Sequence, residues 1–526
     1  MKHKTGSANP LIGDIQRSLK IETASDDQSR LPAARDWWPQ ALHWDDEEIR
    51  RQAPCAIARP AGNEEIAKIL HWAGERGVAV TPRGGGSGVC GAAIATSQDS
   101  IALDTTKLNR VGPIEPDSQL PTPFTELRDD GNPAGAQRPN SQLFSLRVGA
   151  GVFGGALEST LNAQGYSLLH FPASLDISTV GGWIACGSYG QFSTLYGGIA
   201  GQTREIRAIL PDGSEFRGPA QNFLESEGTL GIITEATLLV RKKPSRHFFL
   251  SYEFDNLSEA LIWIKDRELA LRVKPAVARL YDPLDSTLSG LKSSGGHFLA
   301  DEFLLKLQSL VLRHGAGRRI LKAIAQKKSG WVLVLIFEEE QEAAYRELLN
   351  SHGSSERRLS EEPAKIWWNK RYQWNEKKLK LMFDHGCFAD TVDTWAPWDR
   401  LDEVYERFNE TVSPCALSMG HISHMDAEGA CLYMSLAGAA SNAPGARRLH
   451  EAVWRAALDA VAKAGGRINH HHGIGLAKLP WIQNAWGEER LRAHQNKKRE
   501  WDPKGIMNPG KLSVERGAWS VERQKI

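Results

Sequence analysis

The stretch Val78–Gly91, V-A-V-T-P-R-G-G-G-S-G-V-C-G, carries a short apolar run into a cluster of glycines. Val78, Val80 and Thr81 favour an extended chain. Gly84, Gly85, Gly86 and Gly88 reach backbone angles closed to other residues, so the run predicts a strand feeding a tight loop. Such a loop can aim several N–H groups at one anion, and a phosphate or pyrophosphate is its natural guest; an ordinary strand-to-strand turn is the alternative. No G-K-[ST] follows, which excludes a nucleoside-triphosphatase loop. Gly86–Gly91 spells G-x-G-x-x-G, but only Ala92–Ser100 separates it from the next strand-like run, Ile101–Asp104, too few residues for a crossover helix. The helix comes first instead, with Ile66, Ile69, Leu70 and Ala73 on one face of Asn63–Arg76.

Working outward, 526 residues predict two or three packed units. With 41% hydrophobic residues, 24% charged residues and a net charge of +1, the chain reads as a globular protein without the basic excess that recruits nucleic acid. No apolar run reaches a bilayer-spanning length, and Met1–Lys20 lacks a signal-peptide core. Cys55, Cys90, Cys186, Cys387, Cys415 and Cys431 show no C-x-x-C spacing and read as reduced thiols of a cytoplasmic chain. The expected partner is a small-molecule substrate; a homodimer is compatible with this composition.

Met1–Ala33 is polar and reads as a loosely held arm, part of an N-terminal segment 1–48. Residues 112–145, rich in Pro, Asp, Gly and Gln, read as a surface insertion. Phe171–Gly190, F-P-A-S-L-D-I-S-T-V-G-G-W-I-A-C-G-S-Y-G, mixes small hydroxyl residues with paired glycines, a pattern suited to backbone lying flat against a large ligand. Ser226–Gly231 adds more glycine-flanked N–H groups. Strands are expected at Ile206–Leu210, Ile232–Val240, Phe248–Phe254 and Trp331–Glu338. Helices are expected near Leu257–Glu268, Leu304–Arg313, Leu401–Asn409 and Gly445–Ala464. Trp367, Trp368, Arg371 and Trp374 read either as a pocket wall or as core.

Four blocks in order, Pro82–Gly88, Pro172–Ser178, Gly181-Gly182 and Ser226–Thr237, resemble the FAD-binding half of the vanillyl-alcohol oxidase and p-cresol methylhydroxylase superfamily. The resemblance implies an α+β protein. Its FAD-binding domain, 49–244, has two subdomains. A cap of α+β type with an antiparallel sheet, 245–465, binds substrate, and a C-terminal segment, 466–526, returns to the FAD domain. It implies that Pro82, Arg83, Gly84, Gly85, Gly86, Ser87 and Gly88 hold the pyrophosphate. Pro172, Ser174, Ser178, Thr179 and Gly182 would line the flavin, and Glu227, Gly228 and Ile233 would hold the adenosine side or its ribose. Relatives that bind flavin covalently use a histidine in the glycine loop; the matching position here is Ser87, which implies noncovalent FAD.

Three consecutive histidines, His470, His471 and His472, lie on a glycine-bounded loop. Metal binding, helped by His421 and His424, is one reading, although neighbouring side chains of an extended segment diverge and at most two reach one ion. A surface polar run is the second, and a proton-transfer site the third. Asn469–Gly475, with Gly429–Tyr433 and Thr394–Asp399, resembles the alkylglycerone-phosphate synthase branch, which favours the third and implies no metal. In that branch an acylated dihydroxyacetone phosphate loses a proton, forms an adduct with flavin N5, releases its acid and accepts a fatty alcohol. The resemblance implies His472 as base, Tyr433 as an orienting or acidic group, and His470 and His471 beside them. Two arginines of the branch fall here on Leu379 and His421, so Arg371, Lys378 and His421 are the substrate-binding candidates. The alternative function is an FAD-linked dehydrogenase or oxidase of a 2-hydroxy acid or a polyol phosphate.

Overall fold

The computed structural model describes residues 10–117, 143–267, 274–291, 309–350, 356–372 and 381–513. Two sheets make up the first half. In the first, the strands β1 (Thr23–Ala24), β2 (Ala56–Ala58), β3 (Ala79–Arg83) and β4 (Ser100–Asp104) lie in the order β1-β2-β4-β3, with β4 parallel to both β2 and β3. Helix Asn63–Arg76 feeds β3. Gly77 ends it in the left-handed region at φ 64°, where glycine alone carries no side-chain penalty. Residues 84–99 therefore join two parallel strands with no helix between them, which is why the dinucleotide-like glycine spacing is accidental.

The second sheet contains β5 (Glu115–Pro116), β6 (Phe144–Gly149), β7 (Tyr166–Ser167), β8 (Thr203–Ile209), β9 (Glu215–Gly218) and β10 (Ile232–Lys242), all paired antiparallel around β10. The flanks of the 112–145 stretch belong to this sheet: Glu115 pairs Ser145, and Phe144 is buried. The expected insertion is thus narrower, and 118–142 lies outside the described residues.

The third sheet is antiparallel and seven-stranded: β11 (His247–Phe254), β12 (Val277–Tyr281), β13 (Trp331–Glu338), β14 (Arg357–Arg358), β15 (Cys387–Pro397), β16 (Leu417–Ser423) and β17 (Gly429–Ala439), in the order β14-β11-β13-β12-β16-β17-β15. Helices Leu257–Arg267, Leu401–Val412 and Ala443–Lys463 cover it and bury Ile264, Phe408 and Trp454. Of the helix expected at Leu304–Arg313, residues 309–313 are described and helical; the rest lies outside the described residues.

The reading of Met1–Ala33 as loosely held fails for the part described. Pro10–Leu19 is a helix whose Ile15 and Leu19 join the core of the first sheet, and Asp14 accepts from Trp72 Nε1 (3.1 Å) and Arg76 Nε (2.6 Å). The signal was the spacing of Leu11, Ile12, Ile15 and Leu19, a helical stripe too short to stand out beside its polar neighbours. Trp38, Leu42 and Trp44 then enter the core of the cap. Among the described residues, no helix is long and apolar enough to cross a membrane.

Candidate active site

A cavity of about 940 Å³ opens between the glycine loop, the Pro172–Gly182 block and the inner face of the third sheet. That is near the upper end of small-molecule sites, which run to ~1,000 Å³. Pro82 to Gly88, Pro172, Ser174, Ser178, Thr179, Gly182, Glu227, Gly228 and Ile233 all line it. The blocks press on one another through missing side chains. A Cβ on Gly85 would overlap Ile177 O, and one on Gly84 would overlap Thr179 Oγ1. No backbone N–H from Gly84 to Gly88 donates to another described residue. Thr179 Oγ1 and Ser226 Oγ are buried on the same wall without partners. Buried donors are seldom left unpaired, so this backbone suits a ligand with many acceptor oxygens, as FAD has.

Three side chains assigned to that ligand are also engaged by the protein. Arg83 donates to the carbonyls of Ala93 (3.3 Å), Pro32 (3.3 Å) and Arg35 (3.1 Å), and so braces the loop. Ser178 Oγ is shared between Trp183 Nε1 (2.7 Å) and Ser174 O (2.8 Å). Glu227 was expected at the ribose. Its carboxylate accepts from Ile474 N (2.5 Å) and Gly475 N (2.9 Å), because its left-handed backbone, φ 48°, turns it toward the histidine loop. Burial pushes this carboxyl up to about 7, against the pull of the two amides.

Across the cavity, strand register gathers the chemistry. Asp393 on β15 lies opposite Tyr433 on β17, Tyr433 opposite His421 on β16, and His421 opposite Tyr281 on β12. Opposed residues of an antiparallel ladder share a face, so distant stretches meet in one row. Asp393 is fully buried. Its Oδ2 accepts from the backbone N–H of His470 (3.0 Å), His471 (2.7 Å) and His472 (2.9 Å), and its Oδ1 accepts from Lys478 Nζ. Lys478, also fully buried, donates to Asn469 Oδ1 at 3.0 Å. Burial works against charge on Asp393, but His472, Lys478 and His471 outweigh it and hold the carboxyl well below its usual range.

The histidines divide. His471 and His472 line the cavity, with His472 Nδ1 3.2 Å from Asp393 Oδ1. His470 does not reach the cavity wall; it packs on Tyr189 at 4.3 Å and stacks on His424 at 5.3 Å, and so supports the loop. Burial lowers the affinity of all three for protons, His470 down to about 4. Asp393, His471 and His472 lie close enough to share an ion, as do Cys431, His470 and His471. In the first group the carboxylate is already engaged by Lys478 and three amides. Tyr433 faces the imidazoles, its ring 5.4 Å from His472; it donates to Thr391 Oγ1 at 3.2 Å, and burial pushes its phenol up to about 12.

The sequence reading missed a cation. Arg279 on β12 lines the cavity, lies over Trp367 at 5.1 Å and donates from Nη1 to His421 Nε2 at 3.2 Å. His421 Nδ1 is 3.1 Å from Asp285 Oδ2, so the imidazole bridges the carboxylate and the guanidinium. Arg279 thus reaches His421 from the neighbouring strand β12. Arg371 also lines the cavity, over Trp368 at 3.7 Å and Tyr372 at 4.7 Å. Trp367 is pocket wall, while Trp368 packs with Phe192 and His247. Lys378 and Trp374 lie outside the described residues. Asp393 and Lys478 were missed too; the legible trace was an acid inside an apolar strand, A-D-T-V-D-T-W-A-P.

Comparison with known proteins bears out the superfamily. The model for "FAD linked oxidases, C-terminal domain" matches residues 244–512, and that for "FAD binding domain" matches 54–122 and 137–218. The alkyldihydroxyacetonephosphate synthase of Dictyostelium discoideum is 28% identical over 485 residues, 88% of this chain and 74% of that protein. A D-lactate dehydrogenase of Archaeoglobus fulgidus is 23% identical, over 87% of this chain and 90% of its own. A solved alkyldihydroxyacetonephosphate synthase shares the fold at a TM-score of 0.68 and 22% identity, covering 97% of this chain and 87% of that one. Substrate-bound p-cresol methylhydroxylase does so at 0.65 and 13%, covering 95% and 97%. With one family model spanning more than half its length and the FAD-binding model filling much of the remainder, this chain belongs to the FAD-linked oxidase family and is an FAD-dependent enzyme.

Proposed function

We propose that this enzyme acts on a small anionic, glycerol-derived substrate in the manner of the alkyldihydroxyacetonephosphate synthases it resembles. The observation that carries the reading is one cavity lined by His472, Tyr433, Arg279 and Arg371. When bound, FAD supplies an electron-accepting ring system. Its phosphates would rest on the N–H groups of Gly84 to Gly88, and with Ser87 at the position of the covalent histidine the flavin is held noncovalently.

The chain's own groups divide the remaining work. Burial keeps His472 below the usual imidazole range, so at neutral pH it is an unprotonated base able to take a carbon-bound proton. Asp393 sets the loop through three amides and stabilises the imidazolium that results, while Lys478 balances its charge. Tyr433 keeps its proton and can donate it to a substrate oxygen. Arg279 and Arg371 face an otherwise largely apolar wall, where a cation calls for an anionic partner such as a phosphate or carboxylate.

A second reading, hydride removal from a 2-hydroxy acid, draws on the same base and cations and on the likeness to the D-lactate dehydrogenase. Anaerobic addition of glycerol phosphates, acylated dihydroxyacetone phosphate and 2-hydroxy acids to the yellow protein separates the two. Transfer without net redox change leaves the flavin band in place and washes solvent deuterium into the substrate. Oxidation bleaches the band with stoichiometric product. A protein that releases no flavin on acid precipitation would overturn the noncovalent assignment.

A further inference from the structure

Just beyond the end of β16, His424 meets the FAD-binding half of the chain through a short hydrogen bond. Its Nδ1 lies 2.5 Å from Ser193 Oγ, and both residues are 8% exposed. Alternation along β16 would send residue 424 to the side of Ile422, into the core of the cap. His424 instead takes a left-handed backbone, φ 50°, and its ring joins the wall of the cavity. Outside glycine such a backbone is strained, and strained residues gather at active sites. The pairing with Ser193 decides which ring nitrogen carries the proton. With the proton on Nδ1, the ring would donate to Ser193 Oγ, and the serine's own O–H would be buried with no acceptor among the described residues. With Nδ1 as the acceptor, both groups are satisfied. The proton then sits on Nε2, which bonds to no described residue and is not closed off from the cavity. Burial first, then His471, His470, Arg279 and His421 around it, hold this imidazole well below its usual range, so the ring is neutral.

We propose that His424 Nε2–H is the hydrogen-bond donor to the substrate's carbonyl oxygen and that Ser193 is the residue that positions it, an inference that rests on the function proposed above. When His472 takes the proton from the carbon beside a carbonyl, the C–H electron pair forms a C=C bond and the carbonyl π pair moves onto oxygen. His424 keeps its own proton throughout and holds that oxyanion by a hydrogen bond. A fixed, neutral donor in a site shielded from water acts on the charge as it develops, with no reorganisation to make. His471 stands next to both rings, 4.9 Å from His424 and 4.7 Å from His472, so a glycerol-sized substrate reaches the donor and the base together. Arg279 and Arg371 are then left for the anionic end of the same molecule.

The test follows exchange of solvent deuterium into acylated dihydroxyacetone phosphate by the flavin-loaded enzyme. His424→Ala should lower the maximal exchange rate about 10²-fold, the cost of one oxyanion donor, with KM changed little and the flavin spectrum kept. His424→Gln, whose side-chain amide again offers an N–H, should recover part of that rate. Ser193→Ala leaves the tautomer unfixed and should cost a smaller factor, again in the maximal rate. Because the donor is neutral, the acid limb of the pH profile should stay where His472 puts it in all three variants. Exchange by His424→Ala at the wild-type rate overturns the proposal. So does a loss that falls on KM alone, a loss that glutamine does not reduce, or an acid limb that moves in His424→Gln, which would make His424 a titrating base. A wild type that exchanges no deuterium overturns the proposed function and this role together, whereas wild-type exchange that His424→Ala leaves undiminished removes this role alone.

Discussion

The glycine loop and the histidine loop face the same cavity and are shaped in opposite ways. Gly84 to Gly88 hold their course through local geometry: a strand that ends at Arg83, glycines that admit close approach, and a neighbouring block pressed onto them. His470 to Gly475 are held from afar, by Asp393 on β15, Glu227 beyond the second sheet's turn, and Cys90 O, which accepts from Leu476 N at 2.7 Å. A site that presents backbone can be built by a short run of sequence; a site that presents particular side chains in particular protonation states needs charges brought from elsewhere.

The contrast is broken most directly at Lys478. Lys478→Met leaves Asp393 buried with its amides and the neighbouring imidazoles but without its lysine, and loss of one member of a buried pair should cost about 3–5 kcal/mol in urea unfolding. Adding Asp393→Asn should restore part of that loss, which a general packing defect would not allow. Next in size is His472→Ala. Turnover should fall on the order of 10²-fold, about 2.7 kcal/mol of barrier, with the flavin spectrum kept. In the wild type, the acid limb of kcat/KM should lie below the ordinary imidazole value of about 6.5, since burial favours the neutral ring. An acid limb above that value would remove His472 as the base.

Gly85→Ala probes the other loop. The added Cβ meets a backbone carbonyl that cannot swing aside, so FAD affinity should drop at least about tenfold, a shift of ~1.4 kcal/mol, while turnover per bound flavin stays near wild type. Equal flavin content in both proteins would show that the loop yields. The pH-dependent effect is expected at Glu227. Its carboxyl binds a proton more tightly folded, at about 7, than unfolded, at 4.5. That contribution to stability is complete below 4.5 and is lost as pH rises through about 7. Glu227→Gln keeps the shape and should flatten this part of the stability profile between pH 4.5 and 7; identical slopes would place the group in solvent-like surroundings.

Much of this was legible beforehand, and what was not has a common cause. Val78–Gly91, Phe171–Gly190 and Ser226–Gly231 announced a ligand-facing main chain because glycine density acts locally, and the family comparison agrees on FAD. Helices with a long apolar stripe, such as Asn63–Arg76, stood within a residue or two of their observed ends, whereas Pro10–Leu19 was lost among polar residues. The triple histidine drew notice, but the sequence could not say that His470 turns away, nor that Glu227 clamps the histidine loop.

By itself, then, the sequence determined a glycine-rich FAD-binding half, an α+β cap, and a set of imidazoles suited to proton transfer. Only the tertiary structure decided that Asp393, Tyr433 and His421 stand in one row, that Arg279 reaches His421 from the next strand, and that Lys478 neutralises the carboxylate beneath the loop. The reason is range. Backbone conformation is set by neighbours in the chain, whereas the protonation of a buried side chain is set by charges and desolvation that arrive from strands hundreds of residues away.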